Sequence, residues 1–358
     1  MARKISTILV TGGAGFVGSH LAQMFRRDLE NVRVIAFDNL HRRGSELSLT
    51  RLRENGVEFR HGDVRQFEDL AEVGAFDLLI ECSAEPSVRA GYDNSPVYVI
   101  NTNLNGLVNC LEMARRHQAD VVFLSTSRVY PIAALRALPL VRKGERLSLS
   151  EGASSQGWSA NGIAADFPLQ GSRSIYGATK LAAELIIQEY EAMYGLRSVV
   201  NRCGILTGIW QMGKVDQGVV VLWAARHFFG GTLSYSGFGG EGLQVRDILH
   251  VSDLYTLLRN QLADIEHHQG KIYNVGGGLN GSVSLRELTE LCVERSRNRI
   301  KIESSPETLA SDIPWYVTDN KKITSATGWQ PQLGIEAILD EIFDWLSQNR
   351  DQLRPLLG

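Results

Sequence analysis

The sequence predicts an α/β protein: a doubly wound parallel sheet followed by a smaller α+β region. Short apolar runs rich in β-branched residues alternate with amphipathic helical stretches over the first two-thirds of the chain. Alternation of this kind is typical of right-handed βαβ crossovers, which place helices on both faces of a parallel sheet. The first apolar run leads through a glycine-rich turn, residues 11–18, into the first amphipathic stretch.

The apolar runs give the elements in order. Strands are predicted at residues 8–10, 34–38, 57–63, 77–82, 121–125 and 198–202. Helices are predicted over residues 105–116, where Leu107, Leu111 and Ala114 share a face, and over residues 172–195. The apolar face of the second helix is formed by Ala178, Leu181, Ala182, Leu185 and Ile186. Ligands of such sheets bind beyond the carboxyl ends of the strands.

Two domains are expected. Residues 1–203 would form the nucleotide-binding domain, and residues 204–358 a smaller substrate-binding domain that returns one segment near residues 245–260 to the first. Residues 131–171 have no sustained helical period, and we expect them to form an ordered cover over the site. Helices over residues 285–295 and 335–347 are the last two predicted in the chain.

Composition excludes several classes of protein. A net charge of -3 and a hydrophobic content of 44% are ordinary for a soluble globular chain and give no electrostatic case for binding nucleic acid or a membrane surface. The first residues lead directly into a strand and leave no room for a signal peptide. The four cysteines are far apart and form no CxxC pair. We therefore expect a cytoplasmic protein with no metal site and no disulfide framework.

The glycine turn predicts a Rossmann-type dinucleotide site. Gly12 would allow the sharp turn, Gly15 the approach of a diphosphate, and Gly18 the packing of helix against strand. The first N–H groups of the helix, including those of Phe16 and Val17, would face the negative charge of the ligand. Asp38 ends the second strand, where a carboxylate binds the adenosine ribose and repels a 2′-phosphate. This pattern favours NAD over NADP.

A second constellation indicates redox chemistry. Tyr176 and Lys180 are four residues apart and share one face of a predicted helix. An ammonium close to a phenol lowers the tyrosine pKa from about 10, which suits a general base. Such a pair is also common on solvated helix faces. Here it follows Ser125-Thr126-Ser127 at the end of a strand. Hydroxyl, phenol and ammonium beside a nicotinamide could take a proton from an alcohol while hydride leaves its carbon.

On these residues the chain resembles the extended short-chain dehydrogenase/reductase family. The likeness covers nearly the whole chain through the glycines at 12, 15 and 18, Asp38, Asp63-Val64, Asn101, Thr126, Tyr176-x-x-x-Lys180 and Arg246-Asp247. It implies NAD kept bound through the cycle and a nucleotide-sugar substrate, with Tyr176 as base, Lys180 and Thr126 as its catalytic partners and Arg246 on the diphosphate. Relatives often pair two helices, here 105–116 and 172–195, across a homodimer, which their apolar residues permit.

The resemblance assigns further residues to each ligand. Against the cofactor it places Gly12, Gly15, Phe16, Val17, Gly18, Asp38, Asn39, Asp63, Val64, Ser83, Ala84, Asn101, Ser125, Tyr176, Lys180 and Cys203. Against the substrate it places Glu85, Thr126, Arg128, Gln211, Gln217, Arg246 and Asp312.

Residues after Thr126 select a branch of the family. Sugar 4,6-dehydratases carry Asp-Glu there, and this chain has Ser127 and Arg128, neither of which is a carboxylic acid. Asp216-Gln217-Gly218 is similar to the branch that epimerises C2 of CDP-sugars. The resemblance therefore implies an isomerase of carbohydrate biosynthesis. Epimerisation at C4 or oxidation of a UDP- or GDP-sugar, a dehydratase-related reaction, and a non-catalytic NAD-binding protein stay open as alternatives.

Overall fold

The computed structural model describes residues 5–92, 94–213 and 217–358. Asp216, from the branch-selecting motif, lies outside this part of the chain. The strands are β1 (Thr7–Thr11), β2 (Arg33–Asp38), β3 (Glu58–His61), β4 (Leu78–Glu81), β5 (Asp120–Thr126), β6 (Leu140–Lys143), β7 (Arg146–Leu149), β8 (Trp158–Ser159), β9 (Gly162–Ile163), β10 (Ser198–Cys203), β11 (Ile205–Thr207), β12 (Thr232–Ser236), β13 (Val245–His250), β14 (Lys271–Val275), β15 (Ser282–Ser284), β16 (Lys301–Ser305) and β17 (Trp315–Tyr316).

The helices alternate with these strands in the first part of the chain. They are α1 (Phe16–Asp28), α2 (Ser48–Glu54), α3 (Phe67–Ala71), α4 (Val97–Ile100), α5 (Gly106–His117), α6 (Ile132–Arg136), α7 (Ile175–Tyr194), α8 (Val219–Phe229), α9 (Val251–Ala263), α10 (Ile265–His268), α11 (Leu285–Ser296), α12 (Lys321–Thr327), α13 (Ile335–Gln348) and α14 (Arg350–Leu357). Within the described residues, none of these helices is long and apolar enough to cross a membrane.

A seven-stranded sheet confirms the predicted fold class. Its strand order is β14-β10-β5-β4-β1-β2-β3, and β1 pairs in parallel with both β2 and β4. The pairs β2–β3 and β4–β5 are also parallel. Because their carboxyl ends lie at one edge of the sheet, the residues that follow β1, β2, β4 and β5 are brought to the same side.

The core of this sheet is apolar on both faces. β5 is buried at every position, as expected for a strand covered by helices on both sides. One core cluster joins strand residues such as Leu9, Ile35 and Phe123 to Leu111 on α5 and Ile187 on α7. This packing holds α5 and α7 against the strands whose ends carry the predicted site.

The chain divides into two units. The first comprises the chain up to Val129, Ser174–Arg202 and Tyr255–Tyr273, and the second comprises Tyr130–Arg173, Cys203–Leu254 and Asn274–Gly358. These bounds differ from those expected from the sequence in two places. Residues 130–173 group with the second unit, and the segment that returns to the first unit begins at Tyr255.

Backbone hydrogen bonds explain where residues 130–173 belong. β6 and β7 form an antiparallel hairpin with Leu140 opposite Leu149, and β8 pairs with β9 in the same way. The Leu147 N–H donates to the Leu243 carbonyl at 2.9 Å, and the Ile163 N–H donates to the Val317 carbonyl at 2.7 Å. The partners of the segment in these bonds, Leu243 and Val317, belong to the second unit.

The second unit is an α+β arrangement of about the same size as the first, not the smaller region expected from the sequence. β13 pairs in parallel with β11 and β17 and antiparallel with β15. A separate core cluster packs α8, α11 and α13 together through residues such as Trp223, Cys292 and Ile342. The helices α11 and α13 were expected, and α14 is an additional one.

The inward face of α7 differs from the predicted one. Ser174 caps the helix by accepting the Gly177 N–H at 3.2 Å, and Gly195 ends it in the left-handed conformation. The buried positions include Lys180 and Glu184, whereas Leu185 from the predicted apolar face is 56% exposed. The helix therefore presents two charged side chains to the interior, and the apolar periodicity could not reveal this.

Candidate active site

The glycine turn between β1 and α1 has the geometry that a dinucleotide requires. Gly12 has a φ of 61°, and a Cβ on Gly18 would lie 2.2 Å from the Gly12 carbonyl oxygen. A Cβ on Gly15 would meet only the Gly12 carbonyl oxygen, at 3.1 Å. Gly15 caps α1, so the next N–H groups, on Phe16 and Val17, have no acceptor one turn earlier in the helix. The turn therefore has the free N–H groups and the space that an anionic ligand would need.

Asp38 stands at the end of β2 beside this turn. Its carboxylate accepts the Ala14 N–H at 3.1 Å and the Leu40 N–H at 2.7 Å. Burial raises the pKa of this carboxyl, and hydrogen bonds from the Leu40, Ala14 and Gly15 N–H groups oppose that shift. The side chain is only partly buried, so oxygen lone pairs remain for the hydroxyls of a ribose.

Polar residues around Asp63 extend this end of the site. The Asn39 amide donates to the Asp63 carboxylate at 2.9 Å, and Arg65 pairs with it at 2.5 Å. The Arg65 hydrogen bond, helped by Asn39, lowers the pKa of Asp63 to about 2. Val64 is buried and packs against Gly106, where a Cβ would come within 2.7 Å of a Val64 methyl. Asp63 and Val64 thus lie with Asn39 at the β2–β3 edge.

An aromatic pair borders the same region. The Arg65 guanidinium lies 4.9 Å from the centre of the Tyr98 ring. The centres of the His41 and Tyr98 rings are also 4.9 Å apart, and the two ring planes are tilted relative to each other. Sequence reasoning assigned neither Arg65 nor Tyr98 to a ligand.

The end of β4 carries a buried carboxylate. Glu81 is 1% exposed and accepts hydrogen bonds from the Ser83 N–H at 3.1 Å, from the Ser83 hydroxyl and from the Thr11 hydroxyl at 3.3 Å. Burial raises the pKa of Glu81, and the nearby Lys180 ammonium acts in the opposite direction. Ser83 is therefore fixed by Glu81, and the half-buried Ala84 follows it.

Asn103 holds the next residue, Glu85, in place. The Asn103 side-chain Oδ1 accepts the Glu85 N–H at 2.7 Å. The Asn103 Nδ2 donates to the Glu85 carbonyl at 3.1 Å and to the Thr179 hydroxyl at 3.3 Å. Asn103 lies in a π-helical turn, Asn101–Asn105, that interrupts the helix before α5. Wide turns of this type are frequent at functional sites. Asn101 opens the turn and accepts the Asn105 amide at 2.8 Å.

Thr126, Tyr176 and Lys180 occupy the junction of β5 and α7. Thr126 ends β5, and its hydroxyl accepts the Arg128 N–H at 3.2 Å. The Lys180 ammonium is buried 4.2 Å above the centre of the Phe123 ring in β5, and 3.9 Å from the Glu81 carboxylate. Tyr176, one turn earlier on α7, is partly exposed. The structure thus brings the helix with the phenol and the ammonium onto the strand that ends in the hydroxyl.

A buried ion pair lies behind Thr126. Glu184 and Arg202, 1% and 3% exposed, are joined at 2.7 Å, and the Arg202 Nε also donates to Glu184 at 3.0 Å. The Ser125 hydroxyl donates to the same carboxylate. Ser125 is therefore tied to the interior through its side chain.

The remaining candidates lie in the second unit. Arg246 donates to the Val245 carbonyl at 2.8 Å and to the Ile313 carbonyl at 2.6 Å, which places its guanidinium on the chain directly after Asp312. Gln211 is held to β11 by the Leu206 carbonyl and the Thr207 hydroxyl, both at 2.9 Å. Gln217 is partly buried, and Cys203 is a buried cysteine, outside any disulfide, at the end of β10.

Three of the site's buried side chains were missed by sequence reasoning: Glu81, Asn103 and Glu184. Each is polar, lies inside the first unit, and bonds to residues that the motifs did single out. The available signal was positional, since Glu81 ends an apolar strand and Glu184 follows Lys180 by one helical turn. A charged residue at a position predicted to be buried is a candidate for a site role.

Comparison with known proteins identifies the family to which the chain belongs. A sequence model of the NAD dependent epimerase/dehydratase family matches residues 8–276, so the chain belongs to this family. CDP-paratose 2-epimerase of Salmonella typhi is 29% identical over 95% of this chain and 99% of the relative. UDP-glucuronate 4-epimerase of Thermodesulfobacterium geofontis is 26% identical, covering 97% of this chain and 98% of the relative.

A solved structure agrees with this assignment. The dTDP-glucose 4,6-dehydratase of Streptomyces venezuelae, solved with NAD, has a TM-score of 0.78 and 27% identity, covering 98% of this chain and 99% of the other. The resemblance stated from the sequence is confirmed at the level of the family, and the protein is an NAD-dependent enzyme. The open turn at Gly15, the free start of α1 and the Asp38 carboxylate fit this cofactor, which those residues would hold.

Proposed function

We propose that this enzyme epimerises a nucleotide-diphosphate sugar, with C2 of a CDP-sugar as the favoured centre. The observation that carries the proposal is the junction of β5 and α7, where Thr126 ends the strand and Lys180 is buried above Phe123. Ser127 and Arg128 follow Thr126, and neither can act as the acid that removes water in a dehydratase.

The proposed reaction has two steps, oxidation of a sugar hydroxyl to a ketone and reduction of that ketone from its other face. The Tyr176 phenolate takes the proton of the sugar hydroxyl, and the Thr126 hydroxyl donates a hydrogen bond to the same oxygen. The Lys180 ammonium favours the phenolate over the phenol. NAD, when bound, supplies a hydride acceptor that can return the hydride. Rotation of the keto-sugar between the two steps exposes its other face, and the tyrosine then gives the proton back.

The substrate class is argued from one relative and from Arg246. The 29% identity to CDP-paratose 2-epimerase favours a CDP-sugar with a free 2-hydroxyl. Arg246 would bind the diphosphate, because a planar guanidinium can donate to two phosphate oxygens at once. Glu85, Arg128, Gln211, Gln217 and Asp312 would contact the remainder of the nucleotide sugar. The cytoplasmic location of the enzyme is part of the same proposal.

The test is a panel of CDP-, UDP-, GDP- and dTDP-sugars, followed by NMR for formation of an isomer. A 2-epimerase gives the C2 isomer of a CDP-sugar, with a primary isotope effect from deuterium at C2 and none from deuterium at C4. An isotope effect at C4 would assign a 4-epimerase instead. Net reduction of bound NAD at each turnover would assign a dehydrogenase, and no turnover despite tight NAD binding would leave a binding protein.

Tyr176→Phe should lower kcat by at least about a hundredfold, because the general base is removed. NAD affinity and the melting temperature should change little. Tyr190→Phe is the matched control: it lies on the same helix, is partly buried, and loses a hydrogen bond to Glu112. That variant should keep the activity, and near-normal turnover by Tyr176→Phe would remove the phenol from the mechanism.

A further inference from the structure

Glu81 is a buried carboxylate that the proposed chemistry does not use. It lies at the end of β4, and its Oε1 accepts hydrogen bonds from Thr11 and Ser83. Thr11 is the last residue of β1 before the glycine turn, and Ser83 opens the loop after β4. One side chain is therefore bonded to both of the segments that lead into the cofactor site.

The same carboxylate faces the lysine of the Tyr176–Lys180 pair. Its Oε2 lies 3.9 Å from the Lys180 Nζ, and both side chains are almost fully buried. Two titratable groups, Lys180 on α7 and Cys110 on α5, interact electrostatically with Glu81. Burial and the Glu81 charge both raise the pKa of the Cys110 thiol, which keeps that group neutral.

An isolated ammonium at this depth would be unfavourable, because the low-dielectric interior favours the neutral amine. The Phe123 ring face and the Glu81 carboxylate both offset this effect. The ring offers only its quadrupole, whereas the carboxylate can carry a full opposite charge.

We propose that Glu81 is a positioning residue that keeps Lys180 protonated. It also fixes the position of the ammonium relative to two segments, the glycine turn after Thr11 and the β4 loop that begins at Ser83, which we call the cofactor loops. The inference rests on the proposed role of Lys180 beside Tyr176. Because Thr11 and Ser83 orient the carboxylate, a displacement of the glycine turn or of the β4 loop would alter the charge environment of the lysine. The Lys180 ammonium would then favour the Tyr176 phenolate fully only when the glycine turn and the β4 loop are both in place.

The experiment measures the protonation of Lys180 directly. In protein labelled with ¹⁵N-lysine, the Nζ resonance that disappears in Lys180→Arg is followed through a pH titration of the NAD-loaded enzyme. Glu81→Gln should move the midpoint of this titration to lower pH by at least about one unit, because the neutral amide no longer favours the ammonium. Glu81→Asp keeps the charge and should move it less.

The pH dependence of kcat gives a second readout. In Glu81→Gln the alkaline limb should move to lower pH together with the Lys180 midpoint, since a neutral lysine no longer supports the phenolate. Asp120→Asn is the matched control, because it removes a buried carboxylate that pairs with Arg197 at the start of β5. It should leave the Lys180 midpoint unchanged.

Each outcome is decisive for Glu81. A midpoint that stays in place in Glu81→Gln, or an equal shift in Glu81→Asp, would overturn the inference. If Glu81→Gln does not fold, Ser83→Ala replaces it, with a smaller shift in the same direction expected and an unmoved midpoint counting against us. The NMR titration needs no substrate, so failure of the proposed function, seen as no turnover of any sugar nucleotide, is a separate result.

Discussion

Replacing Arg202 with Met leaves the Glu184 carboxylate buried without its countercharge. The pair is joined by three N–O contacts between 2.7 and 3.1 Å, and both side chains are at least 97% buried. Removing one member of such a pair costs about 3–5 kcal/mol in the free energy of unfolding, because the remaining charge is not solvated. That is a large share of the roughly 5–15 kcal/mol that a folded domain has.

Urea unfolding of the purified protein, followed by circular dichroism, measures this loss. Arg33→Met is the matched control: its guanidinium is also 2.7 Å from a carboxylate, that of Glu58, but the pair is exposed and should be worth less than about 1 kcal/mol. The double variant Arg202→Met with Glu184→Leu should recover most of the stability, since it removes both charges. A loss in Arg202→Met no larger than in Arg33→Met would refute the argument from burial.

Two further predictions concern the turn and acid stability. Gly18→Ala should lower both the melting temperature and NAD affinity, because its Cβ would lie 2.2 Å from the Gly12 oxygen, whereas Gly334→Ala, with nothing within 4 Å of the added Cβ, should change neither. Burial lowers the pKa of His117, His227 and His268 from 6.5. The unfolded state then binds more protons just below that pH, so the free energy of unfolding should be smaller at about pH 5.5 than at about pH 7.5. Equal urea midpoints at the two pH values would contradict this.

The sequence predicted the sheet well because its strands are continuous apolar runs. Residues 8–10, 34–38 and 121–125 all became central strands, since a strand covered on both faces needs no polar positions. The glycine turn was predictable for a similar reason, because at Gly12 and Gly18 the backbone itself excludes a side chain. In both cases the information is local to a few neighbouring residues.

The interior of the site was not predictable in this way. Periodicity assigned Leu185 to the core of α7, although the buried positions carry Lys180 and Glu184. Those charges are tolerated inside because their partners, Glu81 and Arg202, come from strands distant in the sequence. The hairpin of β6 and β7 was missed for a related reason, since its order depends on hydrogen bonds to residues such as Leu243. Apolar periodicity in a single sequence contains no information on such pairings between residues distant in the chain.

The order of strands in the central sheet has a consequence for synthesis of the chain on the ribosome. β14, at one edge of the sheet, covers β10, yet it is made only after β11, β12 and β13 of the other unit. Until then β10 has unpaired backbone groups, and an exposed strand edge is prone to pair with other chains. A nascent chain that stalls between Cys203 and Lys271 would therefore be a substrate for chaperones, even though all the residues of its nucleotide turn are already made.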